Sequence, residues 1–188
     1  LGLNHVHYVP PPIDCEVFKP INRFESVRRL SSRFSVDPRK LENALVILYM
    51  GHVTPIRFPY IAVLKVLRQI IRGGFSAQLL IFTPSFRYNE MHAVKIRSIA
   101  ESIGLGKYVS VFVRNVDQSE KPFVYNLADL FLFPAIGPTA IDPPLTILEA
   151  MACGIPVITL NTQSIPYIIK NEENGFLIKN FHSLKNVL

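Results

Sequence analysis

An α/β fold built on an open, mostly parallel sheet with helices on both faces follows from three features of this sequence. Short apolar runs recur along the chain and alternate with longer segments of helical period. The runs are almost continuous in Val, Ile, Leu and Phe, the pattern of strands buried on both faces rather than one. Of the 188 residues, 49% are hydrophobic and only 18% charged. A single domain of that size can bury a sizeable core, and so apolar a surface is suited to packing against another domain.

The elements follow in order. Four prolines make "VHYVPPPIDCEVFKP" (6–20) an extended, stiff segment. "NRFESVRRLSSRFSVDPRK" reads as a short helix and a turn. "ALVILYMG" (44–51) is a buried strand ending at Gly51. "FPYIAVLKVLRQIIRGG" is a helix with Pro59 near its start and Gly73-Gly74 as its stop. Strands are expected at 44–50, 78–83, 109–113, 130–133, 156–160 and 175–178. Helices are expected in "NEMHAVKIRSIAESIGLG", "SEKPFVYNLA" and "PLTILEAMACG", the last with Pro143 and Pro144 in its opening turn and Gly154 just past its end.

Composition narrows the function. No apolar run reaches the roughly 18–20 residues of a membrane span. The opening "LGLNHVHYVPPP" lacks the basic start and apolar stretch of a signal peptide. Two cysteines, Cys15 and Cys153, make no disulfide framework, so a reducing, cytoplasmic setting is expected. The net charge of +6 suits an anionic partner. The basic residues are scattered without an aromatic-basic motif, so nucleic acid is not expected. His5, His7, His92 and His182 lack the spacing with Cys or carboxylates of a metal site, and no metal or cofactor is expected.

In an open parallel sheet, ligands bind beyond the carboxyl ends of the strands. Loops 51–58, 113–119 and 134–145 lie at that end. The third leads into "PPLTILEAMACGIPVITL" (143–160), whose one charged side chain is Glu149. An unpartnered buried carboxylate is costly. Its partner is either a ligand diol, such as a ribose, or another protein group. A helix N-terminus beside it, with the free N–H groups of Leu145 and Thr146, suits phosphate. Carboxylate and helix end together outline a nucleoside-diphosphate site.

"PPLTILEAMACGIPVI" resembles the signature helix of retaining glycosyltransferases of the GT-B fold, the large family 4 clan. "VHYVPPPIDCEVFKP" resembles that family's interdomain segment, and "VILYMGHVTPIRF" its first strand and phosphate loop, usually G-R-x-x-x-x-K-G. "VFVRNVDQSEKPFVYNLADLFLFP" and "NEENGFLI" resemble two further segments in the same order. The resemblance runs from about residue 6 to 182. It implies a Rossmann-like domain at 23–188, preceded by an interdomain-type segment at 1–22: one half of a GT-B enzyme, the half that binds the nucleotide-sugar. The chain ends at "FHSLKNVL", where the family's crossing helix would begin, and the acceptor-binding half is absent from it. On that reading the isolated chain catalyses no transfer. An exposed apolar face marks where the other half docks and offers a route to dimers. The acceptor is a glycan or a lipid-linked group, the latter placing the protein at the cytoplasmic membrane face.

The resemblance also assigns residues. Glu149 falls on the family's ribose-binding Glu. Gly51 falls on the phosphate-loop Gly, His52 on its Arg and Arg57 on its Lys. Arg57 keeps a fixed charge, whereas His52 is only partly charged near neutrality. The alternatives are an ordinary polar loop residue for His52 and a solvated surface charge for Arg57. The family's first paired Glu, which touches the transferred sugar, is Ile141 here; neighbouring Asp142 either substitutes for it or caps the helix. Arg114 stands at the glycine of the base-binding loop. Pro143 and Pro144 replace glycines and cannot donate, which leaves Leu145 and Thr146. The segment Gln163-Ser164-Ile165-Pro166-Tyr167 replaces Gly-Gly-x-P-E. Asp129 is read as structural and Cys153 as an inert core thiol. The implied reaction is metal-free transfer from a nucleoside-diphosphate sugar to a hydroxyl, catalysed with His52, Arg57 and Asp142. The alternatives are a relative that binds a nucleotide or a partner without turnover, and, more distantly, a GT-B epimerase.

Overall fold

The computed structural model describes residues 9–137, 142–162 and 164–180. Six strands form one all-parallel sheet: β1 (Leu45–Met50), β2 (Ala77–Thr83), β3 (Val109–Val113), β4 (Leu130–Phe133), β5 (Val157–Leu160) and β6 (Gly175–Ile178). Their order is β3-β2-β1-β4-β5-β6. The chain builds outward from β1 to β3, then returns to the other side of β1 with β4. The strand order therefore reverses between β1 and β4, the position at which such sheets open a crevice.

The sheet divides the core in two, because successive side chains of a strand face opposite ways. Val46, Leu48 and Met50 of β1 join Leu80 and Phe82 of β2 on one face. Over that face lie α1 (Arg23–Phe34), α4 (Lys121–Tyr125), α5 (Leu145–Ala152) and the single turn α6 (Ile165–Ile168). Ile47 and Tyr49 join Leu79 and Ile81 on the other face, under α2 (Tyr60–Arg72) and α3 (Arg87–Ser102). The α2 stripe Val63, Leu64, Leu67 and Ile70 is buried at helical spacing. His92 packs between Tyr60 and Tyr88 on the α3 side, a core role. His5, His7 and His182 lie outside the described residues.

Polar clips fix the shorter elements. Asp129 has the structural role expected of it: it accepts from the Val46 N–H at 2.8 Å and pairs with Arg23 at the start of α1. Buried Asn126 accepts from the Ile21 N–H at 2.8 Å and donates to the carbonyls of Lys19 at 3.0 Å and Pro122 at 2.8 Å. The segment before α1 is thereby tied to α4. Arg33, near the end of α1, holds Asp117 at 2.5 Å, Glu120 at 2.6 Å and the Asn115 carbonyl at 3.1 Å, which fixes the loop after β3.

The expected strands all form, with ends displaced by a residue where propensity is indifferent. Pro156 falls outside β5, since it has no N–H for the ladder, although its carbonyl still accepts from Phe131. Helix α5 begins at Leu145 rather than with both prolines in its first turn. Pro144, at ψ 131°, is the residue before it, and its carbonyl accepts the Ile147 N–H. The 3-10 turn at Pro38–Lys40 falls on the turn expected after α1, whereas α6 and the 3-10 turn at Gly106–Tyr108 carried no separate signal.

Removing the Asn126 side chain should leave the Ile21 N–H and the Lys19 carbonyl without their partner. Asn126→Ala is expected to lower stability by about 1–3 kcal/mol. Urea unfolding of both proteins measures this, and an unchanged midpoint would contradict the assigned clip.

Candidate functional site

A cleft of about 300 Å³ opens at the carboxyl ends of β1, β2 and β3. Met50 and Phe82 line it from the sheet, Gly51 and Arg114 from the strand ends, Lys121 and Thr146 from the first turns of α4 and α5. Phe82 is held by stacking on Phe112, with ring centroids 4.6 Å apart. Gly51 allows close approach to the end of β1: a Cβ there would meet the Tyr49 hydroxyl at 3.0 Å. That hydroxyl donates to the His52 carbonyl at 2.5 Å and shapes the loop.

Of the predicted site residues, the cleft gathers Gly51, Arg114 and Thr146, with Leu145 beside Thr146 at the start of α5. The N–H groups of the first helical turn have no partner within the helix. Arg114 is exposed, and its guanidinium donates to the Arg33 carbonyl at 2.8 Å. His52 and Arg57 share the loop after β1 but do not line the cleft. Asn89 orients His52. Its oxygen accepts from the Val53 N–H at 3.3 Å, so its nitrogen faces His52 Nδ1 at 3.0 Å and donates. Nδ1 is then the acceptor, and the ring presents its N–H at Nε2. The ring also stacks on exposed Phe86, 5.8 Å away. The Arg57 guanidinium makes no ion pair among the described residues and lies close enough to Tyr49 to oppose the rise that burial imposes on the phenol pKa.

Asp142 does not cap α5. The residue before the helix is Pro144, which supplies no side-chain cap, and Asp142 instead accepts from the Ser164 hydroxyl at 2.6 Å. Its exposed position across from α6 leaves it tying two loops together. Ile141 and Gln163 lie outside the described residues.

The lone carboxylate is partnered by the protein itself. Glu149 is only 2% exposed; its Oε1 lies 2.9 Å from Lys121 Nζ, and its Oε2 accepts from the Tyr125 hydroxyl at 2.6 Å. The sequence leaves its partner open between a ligand diol and another protein group; the structure supplies the protein partners Lys121 and Tyr125. Lys121 and Tyr125 are four residues apart, so one face of α4 presents both. They were overlooked in the sequence, where the signal was a cation and a phenol at helical spacing near a segment with one buried carboxylate. The effect spreads. Burial, then the Glu149 charge and hydrogen bond, raises the Tyr125 phenol well above its ordinary value. Burial, and then Glu149, pushes the Cys153 thiol up to about 12, which fits its place in the core. Among the described residues no group of three or more His, Cys, Asp or Glu is placed to hold a metal ion.

Residues 37–186 match the family described as glycosyl transferases group 1. The chain belongs to that family. Among relatives, it is 23% identical over 173 residues to a D-inositol 3-phosphate glycosyltransferase of Segniliparus rotundus, covering 92% of this chain and 35% of that protein. The chain thus spans about a third of the length of that relative. Its fold superposes with a TM-score of 0.74 on the C-terminal domain of a group 1 glycosyl transferase, LpcC, from Francisella tularensis, at 18% identity and over 94% of this chain and 85% of that one. HepE of Anabaena, solved in complex with UDP and glucose, gives a TM-score of 0.73 at 17% identity, covering 93% of this chain and 44% of that one. The fold of this group 1 glycosyl transferase chain is therefore that of a GT-B Rossmann-like domain.

Tyr125→Phe should remove one partner from a buried carboxylate and lower stability at neutral pH by about 1–3 kcal/mol. The pH dependence has a definite sign. The folded chain keeps the Tyr125 and Cys153 protons to higher pH than the unfolded chain, whose values are near 10.0 and 9.0. Their stabilisation is complete below about pH 9 and is lost as pH rises towards the folded values. Unfolding midpoints from pH 7 to 11 should fall for the wild type and fall less steeply for Tyr125→Phe. Parallel curves would contradict the coupling.

Proposed function

We propose that this chain is the donor-binding domain of a retaining glycosyltransferase. The protein in which it works moves a glycosyl group, of hexosyl type, from a nucleoside-diphosphate sugar to an acceptor hydroxyl on a glycan or lipid-linked substrate. One observation carries the reading: a cleft beyond the carboxyl ends of β1–β3, next to the strand-order reversal, lined by two cations and a helix N-terminus over an apolar floor. The floor of Met50 and Phe82 suits a base. Arg57 and the first N–H groups of α5 supply positive potential for a leaving diphosphate, whose charge grows as the bond to the sugar breaks, and His52 offers an N–H donor at Nε2. HepE, a structural relative, is solved with UDP and glucose, which supports a nucleotide-sugar ligand here.

The acceptor site belongs to the other half of a GT-B enzyme. Exposed Ile56, Phe86 and Ile136 stand at this end of the sheet, with the Ile136 N–H donating to the Ile56 carbonyl at 2.9 Å. They form a surface suited to that half or to a second copy. No described helix is long and apolar enough to cross a membrane. A cytoplasmic setting, at the membrane face for a lipid-linked acceptor, completes the proposal. The second reading, binding without turnover, is favoured by one feature: Ile141 stands where the family's sugar-contacting Glu is expected.

Calorimetric titration with UDP, GDP and ADP, and with their glucose conjugates, tests the reading. One nucleoside diphosphate should bind, and Arg57→Gln should weaken it roughly 10-fold while leaving the matching nucleoside little changed. Binding of none of the three would refute the donor-domain assignment. Binding without transfer by the protein containing both halves would establish the second reading.

A further inference from the structure

Arg114, the first residue after β3, lines the cleft at one end. Its N–H donates to the Thr83 carbonyl at 2.9 Å, so its backbone is still part of the ladder. Side chains alternate along a strand, and Arg114 therefore shares the face of Phe112, Phe82 and Met50. Its guanidinium donates to the Arg33 carbonyl at 2.8 Å, in the last turn of α1. The carboxylates of the following loop, Asp117 and Glu120, are both held by the Arg33 side chain. Arg114 makes no ion pair among the described residues. Its side chain uses one of five N–H donors, on the Arg33 carbonyl.

The cleft has two unlike ends. Helix α5 packs on β4 and β5, on the far side of β1 from β3. Its first N–H groups and Gly51 make the end suited to phosphate. Arg114 follows β3, two strands from β1, or roughly 10 Å at the usual strand spacing. The apolar floor of Met50 and Phe82 lies between. A nucleotide with its phosphates at α5 lays its base over that floor and turns the base edge to Arg114.

We propose that Arg114 reads that edge and selects guanine, so that the donor is a guanosine-diphosphate sugar. The proposal rests on the donor-domain reading above and names the base for the same site. A guanidinium is a planar fork of donors that takes two acceptors side by side. Guanine presents O6 and N7 in that arrangement. Adenine sets an amino donor beside N7, and uracil sets the N3–H beside O4, so each offers the fork one acceptor. The tie to Arg33 orients the fork before ligand arrives, so little side-chain freedom is lost on binding.

The test titrates the 188-residue chain as wild type, Arg114→Met and Arg114→Lys with GDP, ADP, UDP and a GDP analogue carrying carbon in place of N7. The wild type should bind GDP roughly 10- to 100-fold more tightly than ADP or UDP, the discrimination of one bidentate pair. The analogue should lose most of that advantage. Arg114 is exposed, so neither substitution opens the core. Arg114→Lys keeps the charge and removes the fork, and both variants should bind GDP no better than ADP. A loss shared equally by all four ligands in Arg114→Met and restored in Arg114→Lys puts Arg114 on a phosphate and overturns the proposal. A wild type that prefers UDP or ADP, or a GDP preference that survives both substitutions, also overturns it and leaves the donor-domain reading standing. A wild type that binds none of the nucleotides overturns the donor-domain reading and this inference with it.

Discussion

The buried carboxylate of Glu149 constrains the mouth of the sheet more than any other single group. A charge that is nearly sealed from water requires a countercharge and hydrogen bonds, and both come from α4. Helix α4 has five residues, too few for a helix to persist by propensity. Its position is held from outside: Tyr125 and Lys121 by Glu149, Asn126 by the segment before α1, and the preceding loop by Arg33. The cleft wall that carries Lys121 therefore exists because the neighbouring helix carries a carboxylate, and the carboxylate is tolerated because that wall stands there. Neither element can be placed without the other.

The parallel sheet explains why this interaction sits at a site. Strands β1 and β4 are neighbours although three α-helices and two strands separate them in sequence. Loops leaving their carboxyl ends run to opposite sides, and α4 and α5 pack against the same face behind them. Every helix N-terminus that follows a strand points to this end of the sheet, so positive potential accumulates there without any basic run in the sequence.

How much of this was legible in the sequence depends on the range of the interaction. The strands and the long helices were, because each rests on local periodicity and on stops such as Gly73-Gly74. Asp129 was read correctly as structural, but only by resemblance; its bond to the Val46 N–H spans 83 positions and has no local signature. Glu149 was singled out for the right physical reason, the cost of a buried charge. Its partner was not found, because 28 positions of intervening chain separate Lys121 from it, and a cation and a phenol at helical spacing in "SEKPFVYNLA" do not say which neighbour that helix faces. Asp142 had two readings, and the structure bears on one of them, the helix cap. A favoured capping residue stands near a helix start, yet Pro144 fixes the entry to α5 and turns the Asp142 side chain towards Ser164 instead.

The cations that line the cleft stand on one side of it. Pro143 and Pro144 carry no N–H before α5, and His52, in the loop after β1, does not line the cleft. Both facts limit the pull on an anion from the α5 side and from the loop after β1. On the facing wall stand Arg114 and Lys121, the latter a cation steadied by a buried partner. Because a guanidinium and an ammonium reach farther than a backbone N–H, a nucleotide can be held from the β3–α4 side with little change of backbone. Much of the positive potential at the cleft thus comes from two side chains rather than from the main chain, which leaves it more exposed to single substitutions and to salt.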